Sequence, residues 1–237
     1  MKVTSRQHLI VRQSEALCIC RWRPDITFAV HQASRHLEKP LTIHWKAVKR
    51  ILKYLKGTIN HGLKFKCGQK RELLAYSDAD YAGDLETRRS TTGCVLKLAS
   101  GTISWNSQKQ RVVALSTTDA EYMAACQTAK EIAWVKTLIN EPLNVEDVPT
   151  TLYMDNQSAI SLIKNPVFHK TVKHIDVRFH YIREQYTGKK SLLEYVASKE
   201  QHADILTKPL PRQQFQHNRE ALGIQGKHHS KLEEKSE

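Results

Sequence analysis

The stretch Leu73–Asp80 (Leu-Leu-Ala-Tyr-Ser-Asp-Ala-Asp) constrains the fold of this chain most. It alternates with a two-residue period. Leu74, Tyr76 and Asp78 share one face, and Leu73, Ala75 and Ser77 the other, as a strand requires. An apolar strand that ends on carboxylates places acid at its C-terminal tip, where open α/β sheets carry their sites.

The elements that follow fix the surroundings of that strand. Thr91 to Leu98 and Thr102 to Asn106 read as two more strands around a Ser100-Gly101 turn, giving three antiparallel strands in succession. Ser116-Thr117-Thr118-Asp119 is a capping-box start. It opens a helix expected to reach about Asn140, ahead of Pro142. The inward stripe of this helix is Ala125, Thr128, Ile132, Val135 and Ile139, and one turn further back it lands on Glu121. A glutamate on a buried face needs a partner. A cation and an arginine such as Arg89 or Arg111 both satisfy that need.

Thr151 to Met154 is a fourth strand, and it runs into Asp155. A short helix to about Lys164, a helix from near His174 to Tyr186 and a fifth strand, Leu192 to Val196, follow. Ser198 to Gln201 is a second capping box, and it is expected to open a helix that carries Asp204. The fold class expected is α/β: a five-stranded mixed sheet, three antiparallel strands then two parallel, flanked by helices.

A basic segment precedes the sheet. Residues 1–72 hold 16 Lys and Arg against 4 Asp and Glu, whereas 73–237 hold 21 against 20, within a net charge of +13. Asp25, after Arg23-Pro24, is expected to cap a helix through about His36. Thr42 is expected to cap a second helix that ends near Gly57. Its apolar face is Trp45, Val48, Ile51, Leu52 and Leu55, with Lys46, Lys49, Arg50 and Lys53 off that face. Such a helix docks on a membrane or a partner, or packs inward and offers its cations to phosphate. The last is preferred, because Trp45 and Leu52 would otherwise lack a core. A merely solvated basic face is the alternative.

Four units are expected: an irregular or disordered 1–22, a basic helical segment 23–70, the sheet domain 71–222, and a disordered tail 223–237. The five cysteines form no pairing framework, and Cys18-Ile19-Cys20 fits no common zinc spacing. No apolar run is long enough to span a bilayer and no secretory leader is evident. The expected setting is intracellular, cytoplasmic or nuclear, without membrane attachment and not secreted.

A helical crossover leaves successive strands parallel, so the tips carrying Asp78 and Asp155 share one sheet edge. Clustered carboxylates repel unless a divalent cation neutralises them, and oxygen-only ligands favour Mg²⁺ or Mn²⁺ over zinc. With Glu121 and Asp204 the acids would suit a two-ion clamp for phosphoryl displacement.

Longer motifs carry a family resemblance. They are Tyr76-Ser77-Asp78-Ala79-Asp80-Tyr81-Ala82-Gly83-Asp84, Arg89-Ser90-Thr91-Thr92-Gly93, Ile103-Ser104-Trp105, Ala114 to Tyr122, Asp155-Asn156-Gln157-Ser158-Ala159, Lys173 to Arg178 and Ala203 to Leu210. The chain resembles the ribonuclease H domain, with its preceding connection segment, of copia-type LTR retrotransposon Pol polyproteins. The likeness spans roughly residues 23–224. It implies a ribonuclease H-like fold and a catalytic, metal-binding set of Asp78, Glu121, Asp155 and Asp204 with two Mg²⁺ ions. It implies cleavage of RNA in an RNA–DNA hybrid, leaving 3′-hydroxyl and 5′-phosphate ends. The family's polymerase domain would precede residue 1, so a reverse transcriptase in trans is an expected partner.

Asp80 and Asp84 read as acids that order a loop. Hybrid contacts are expected from Lys46, Lys49, Arg50 and Lys53. Gln108 and Lys109, within Ser107 to Gln110, are further candidates, as are His174 and Arg178. For the last two a local network such as Asp176 with His180 is the alternative. A catalytically silent binding relic of the same fold, and a nuclease acting on duplex DNA, are the competing functions.

Overall fold

A computed structural model describes residues 22–70, 72–143, 148–165 and 176–226. Its centre is β2 (Leu73–Asp80), flanked by β3 (Thr91–Leu98) and β5 (Thr150–Met154). The sheet order is β4-β3-β2-β5-β6, with β4 at Gly101–Lys109 and β6 at Ser191–Tyr195. β2, β3 and β4 pair antiparallel, whereas β2 with β5 and β5 with β6 run parallel. This is the five-stranded mixed sheet expected of a ribonuclease H-like domain.

The alternation of β2 sorts the two layers. Ala75 faces a core shared with α3 (Thr117–Leu143), α4 (Gln157–Lys164) and α5 (Asp176–Thr187), including Ala125, Ile132, Ile160, Ile163 and Ile182. Tyr76 faces a second core with Ala203, Ile205, Leu206 and Leu222, which brings in the turns at 202–206 and α6 (Arg212–Ala221). The stripe counted on α3 is buried at Glu121, Ala125, Thr128, Ile132 and Val135, with Ile139 partly so. α3 itself runs three residues beyond the expected Asn140, to Leu143.

α1 (Pro24–Ser34) and α2 (Thr42–Gly57) form a small core of Ile26, Val30, Val48 and Ile51, with Trp45, Tyr54 and Leu55 against it. Trp105 Nε1 donates to Thr27 Oγ1 at 3.1 Å and the Tyr54 ring meets Phe215 edge-on, so this pair is bolted to the sheet domain. Lys46, Lys49, Arg50 and Lys53 are exposed. No helix among the described residues is long and apolar enough to cross a membrane.

Several local expectations are corrected. Asp25 is not a cap: it lies inside α1, buried, where Arg23 pairs with it at 2.7 Å and Tyr54 donates to it at 2.6 Å. Thr42 is the first helical residue of α2, and Leu41 occupies the cap position. Leu52 is exposed. The capping box at Ser198 yields no α-helix. Ser198 spends its hydroxyl on Asp155, and the segment forms two 3₁₀ turns, Ser198–Glu200 and His202–Leu206. Part of the expected tail is ordered: β7 (Ile224–Gly226) pairs antiparallel with β1 (His61–Leu63). Residues 1–21 and 227–237, with Cys18 and Cys20, lie outside the described residues.

Candidate active site

Asp78 comes from the end of β2, Glu121 from the first turns of α3, and Asp155 from the residue after β5. One carboxylate oxygen from each lies within 4.8 Å of the other two. Each is oriented by a donor from elsewhere in the chain. The Thr207 hydroxyl donates to Asp78 Oδ2. The backbone N–H of Ala79 donates to Glu121 Oε1 at 3.1 Å, and the Ser198 hydroxyl donates to Asp155 Oδ2 at 2.8 Å.

Asp204 reaches this place through packing. In β3, Gly93 lies opposite Asp78, and a Cβ on it would sit 2.6 Å from Thr207 Cγ2 and 2.8 Å from the Ala203 carbonyl oxygen. The missing side chain lets the 203–207 turn lie flat on the sheet. Gln201, fully buried, ties that turn to Ser77 by donating to its carbonyl at 2.9 Å. Asp204 is buried beside Asp78, outside the group of three. Lys208 stands at the mouth, 2.9 Å from Asp204 Oδ1 and 3.8 Å from Asp78 Oδ2.

The electrostatics follow from crowding. Burial, then Asp78 and Asp155, push the Glu121 carboxyl well above its usual range. Burial and Asp78 raise Asp204, while Lys208 opposes the shift. Asp155 is raised chiefly by burial, against the Ser198 hydrogen bond. Glu121 Oε2 is buried without a hydrogen-bond partner, and among the described residues Glu121 pairs with neither Arg89 nor Arg111. An orphaned carboxylate oxygen in an all-oxygen donor set fits a hard divalent cation such as Mg²⁺ or Mn²⁺. Asp78, Glu121 and Asp155 would hold it, with Asp204 beside them.

Asp80 lies outside the group of three. Asp84 orders its loop: its Oδ2 takes Lys109 and Arg35, and its Oδ1 accepts the Glu86 and Thr87 N–H groups. Burial works against it, yet hydrogen bonds from Lys109 and Thr87 hold the Asp84 carboxyl far below the usual range. Gln108 is exposed, and with the Asp84-paired Lys109 it lines a cavity of about 290 Å³ that also takes in Arg111 and Lys130. Ser107 and Gln110 are buried, so that part of the expected contact surface turns inward; Gln110 donates to Thr92 and to the Ala120 carbonyl. His174 lies outside the described residues, as does the Arg178 side chain. Lys208 and Thr207 touch the acidic group and are missed by sequence reasoning, as is Arg35, which reaches Asp84 and Thr91. Only Lys208 leaves a local signal there, four residues after Asp204.

No family model matches the chain. It is 46% identical over 202 residues to the Pol polyprotein of transposon TNT 1-94 from Nicotiana tabacum, covering 85% of this chain and 15% of that protein. It is 48% identical over 113 residues to secreted RxLR effector protein 161 of Plasmopara viticola, covering 48% of this chain and 80% of that protein. Among solved structures it is similar to LC11 ribonuclease H1 isolated from compost, with a TM-score of 0.45 and 14% identity, covering 58% of this chain and 94% of that one. The chain thus spans about 15% of the length of the curated Pol relatives that it matches along most of its own length. The homologues of this chain are therefore copia-type retrotransposon Pol polyproteins, 41–46% identical to it over 85% of its length.

Proposed function

We propose that this chain is a metal-dependent ribonuclease H that hydrolyses the RNA strand of an RNA–DNA hybrid. The observation that carries the reading is the convergence of Asp78, Glu121 and Asp155 within 4.8 Å, with one Glu121 oxygen buried and unpartnered. Two Mg²⁺ ions, or Mn²⁺ in their place, would supply the Lewis acidity that activates water and stabilises the leaving 3′-oxygen.

The chain's own residues prepare that chemistry. Thr207, the Ala79 N–H and Ser198 each donate to one oxygen of Asp78, Glu121 and Asp155 respectively, and so orient the three carboxylates. Preorganisation of this kind costs no rearrangement at the moment of reaction. Lys208 balances the charge of Asp78 and Asp204 at the entrance. The exposed Lys46, Lys49, Arg50 and Lys53 of α2, together with Gln108, Lys109, His174 and Arg178, are the proposed hybrid contacts. Phosphate contacts of this kind grip without reading sequence. A reverse transcriptase domain, in the same polyprotein or in trans, is the proposed partner, and the proposed setting is the cytoplasm or nucleus.

Three labelled duplexes test the reading: RNA–DNA hybrid, duplex DNA and duplex RNA, each with Mg²⁺. The expected result is RNA-strand cleavage in the hybrid alone, with 3′-hydroxyl and 5′-phosphate ends, lost in Asp155→Asn. Tight hybrid binding with no cleavage by the wild type would instead identify a silent binding relic, and cleavage of duplex DNA a different nuclease.

A further inference from the structure

The loop of residues 81–90 leaves the tip of β2 directly after Asp78 and Asp80, and its backbone is not at ease. Ala82 and Arg88 hold φ angles of 52° and 54°, a region that residues with a side chain rarely adopt. A Cβ on Gly83 would lie 1.6 Å from Asp80 Oδ2, so the Asp80 carboxylate lies over the loop's own backbone. A conformation of this kind persists only where its surroundings over-determine it.

Asp84 is where the constraints gather. Its Oδ1 accepts the N–H groups of Glu86 at 3.1 Å and Thr87 at 2.9 Å. Its carbonyl accepts the Arg88 N–H at 2.7 Å, and its own N–H donates to the Arg89 carbonyl at 3.2 Å. Its Oδ2 meets two cations. Lys109 comes from the end of β4, within the sheet domain. Arg35 does not: it follows the last residue of α1, and its Nη1 stands 3.2 Å from Asp84 Oδ2 while its Nη2 reaches Thr91 Oγ1 at 3.5 Å. This is no loose surface pair, since the two side chains are 16% and 11% exposed. α1 is held in place to deliver it by the Thr27–Trp105 hydrogen bond and by its small core with α2.

We propose that Arg35 is a positioning residue for the acidic site: through Asp84 and Thr91, the connection segment sets the 81–90 loop and hence the β2 tip that carries Asp78. The connection segment is then a working part of the catalytic unit and more than a tether between two domains. This inference rests on the ribonuclease H reading for its catalytic consequence, though not for its structural one. Because coupling is reciprocal, an occupied site also strengthens the docking of α1.

The test uses the full 237-residue chain and its Arg35→Ala, Arg35→Gln and Arg35→Lys variants. Amide hydrogen exchange, without substrate, reads the loop. In Arg35→Ala, exchange across 81–90 rises about tenfold or more while α3 and β3 keep their protection. Arg35→Lys, which keeps the charge, recovers part of it. On the hybrid, kcat falls about tenfold with KM nearly unchanged, because the interaction removed acts on the reacting geometry. Unchanged loop exchange in Arg35→Ala overturns the proposal, and so does faster loop exchange with an unchanged kcat. Exchange that rises throughout α3 and β3 in both Arg35→Ala and Arg35→Gln also overturns it, since it assigns Arg35 to general stability. A wild type that never cleaves hybrid overturns the ribonuclease reading and with it the catalytic half of this proposal, while the exchange experiment still decides whether Arg35 sets the loop.

Discussion

Replacing Glu121 with Gln is expected to stabilise the protein and abolish its activity at once. The Gln keeps the acceptor for the Ala79 N–H and removes a carboxylate that faces Asp78 and Asp155. At the outer separation of 4.8 Å, each like-charge contact costs about 3.5 kcal/mol for an effective dielectric near 20, so two cost about 7 kcal/mol. Protonating a glutamate of ordinary pKa, about 4.3, at pH 7 costs about 4 kcal/mol. Protonation is the cheaper option, so in the metal-free fold Glu121 stays protonated near neutrality, in agreement with its raised pKa.

The sign follows from linkage. A carboxyl whose folded pKa is raised favours the fold at low pH, in full below about pH 4.3, and that contribution is lost as pH rises. Gln avoids the loss. In EDTA at pH 7.5 the variant should gain about 2–4 kcal/mol, or roughly 5–15 °C in Tm for a domain of this size, and at pH 5 about 1 kcal/mol or less. With Mg²⁺ or Mn²⁺ the order changes. The wild type gains stability by mass action, more at pH 8 than at pH 6 because protons compete with the ion, and the variant gains far less. Differential scanning calorimetry at the two pH values, with and without metal, reads all of this. A variant no more stable than wild type in EDTA at pH 7.5, or one whose advantage does not shrink toward pH 5, refutes the reasoning.

Asp25→Ala leaves the guanidinium of Arg23 in a half-buried place without its carboxylate and strips Tyr54 of its acceptor, so a loss of about 3 kcal/mol is expected in urea melts. Gly93→Ala pushes a methyl group against Thr207 and the Ala203 carbonyl. It should cost about 1–3 kcal/mol and reduce cleavage more than stability alone explains, as seen by comparing Tm with kcat. Exchanging Lys46, Lys49, Arg50 and Lys53 for Gln should weaken hybrid binding alike for all sequences. It should also flatten the slope of log K against log salt by about 0.9 for each phosphate that the protein no longer neutralises. An unchanged slope in fluorescence anisotropy titrations would remove α2 from the interface.

What could be read from the sequence divides by the range of the interaction. The two-residue period of Leu73–Asp80 and the helical stripe ending at Glu121 are local signals, and both side chains lie on the expected faces. Asp155 needed only the rule that strands joined by a helical crossover run parallel. Asp204 sits on a 3₁₀ turn with no periodicity of its own, and the family resemblance, more than periodicity, set it with the others. Ser198 looks like a cap because its neighbours spell a capping box, yet a carboxylate 43 residues away claims its hydroxyl. Arg35 and Asp84 are 49 residues apart, and no pattern near either residue announces the pair. β1 and β7, three residues each, are too short for alternation to reveal.

The most direct measurement is the cleavage rate of a labelled RNA–DNA hybrid with Mg²⁺, for the wild type and for Asp78→Asn. Asn keeps the size of the side chain and an acceptor for Thr207, and removes the charge at the centre of the acidic group. The expected result is Mg²⁺-dependent cutting of the RNA strand by the wild type and its loss, by about a hundredfold or more, in a variant that melts as a folded protein. An Asp78→Asn protein that cuts the hybrid as fast as the wild type would contradict the central claim.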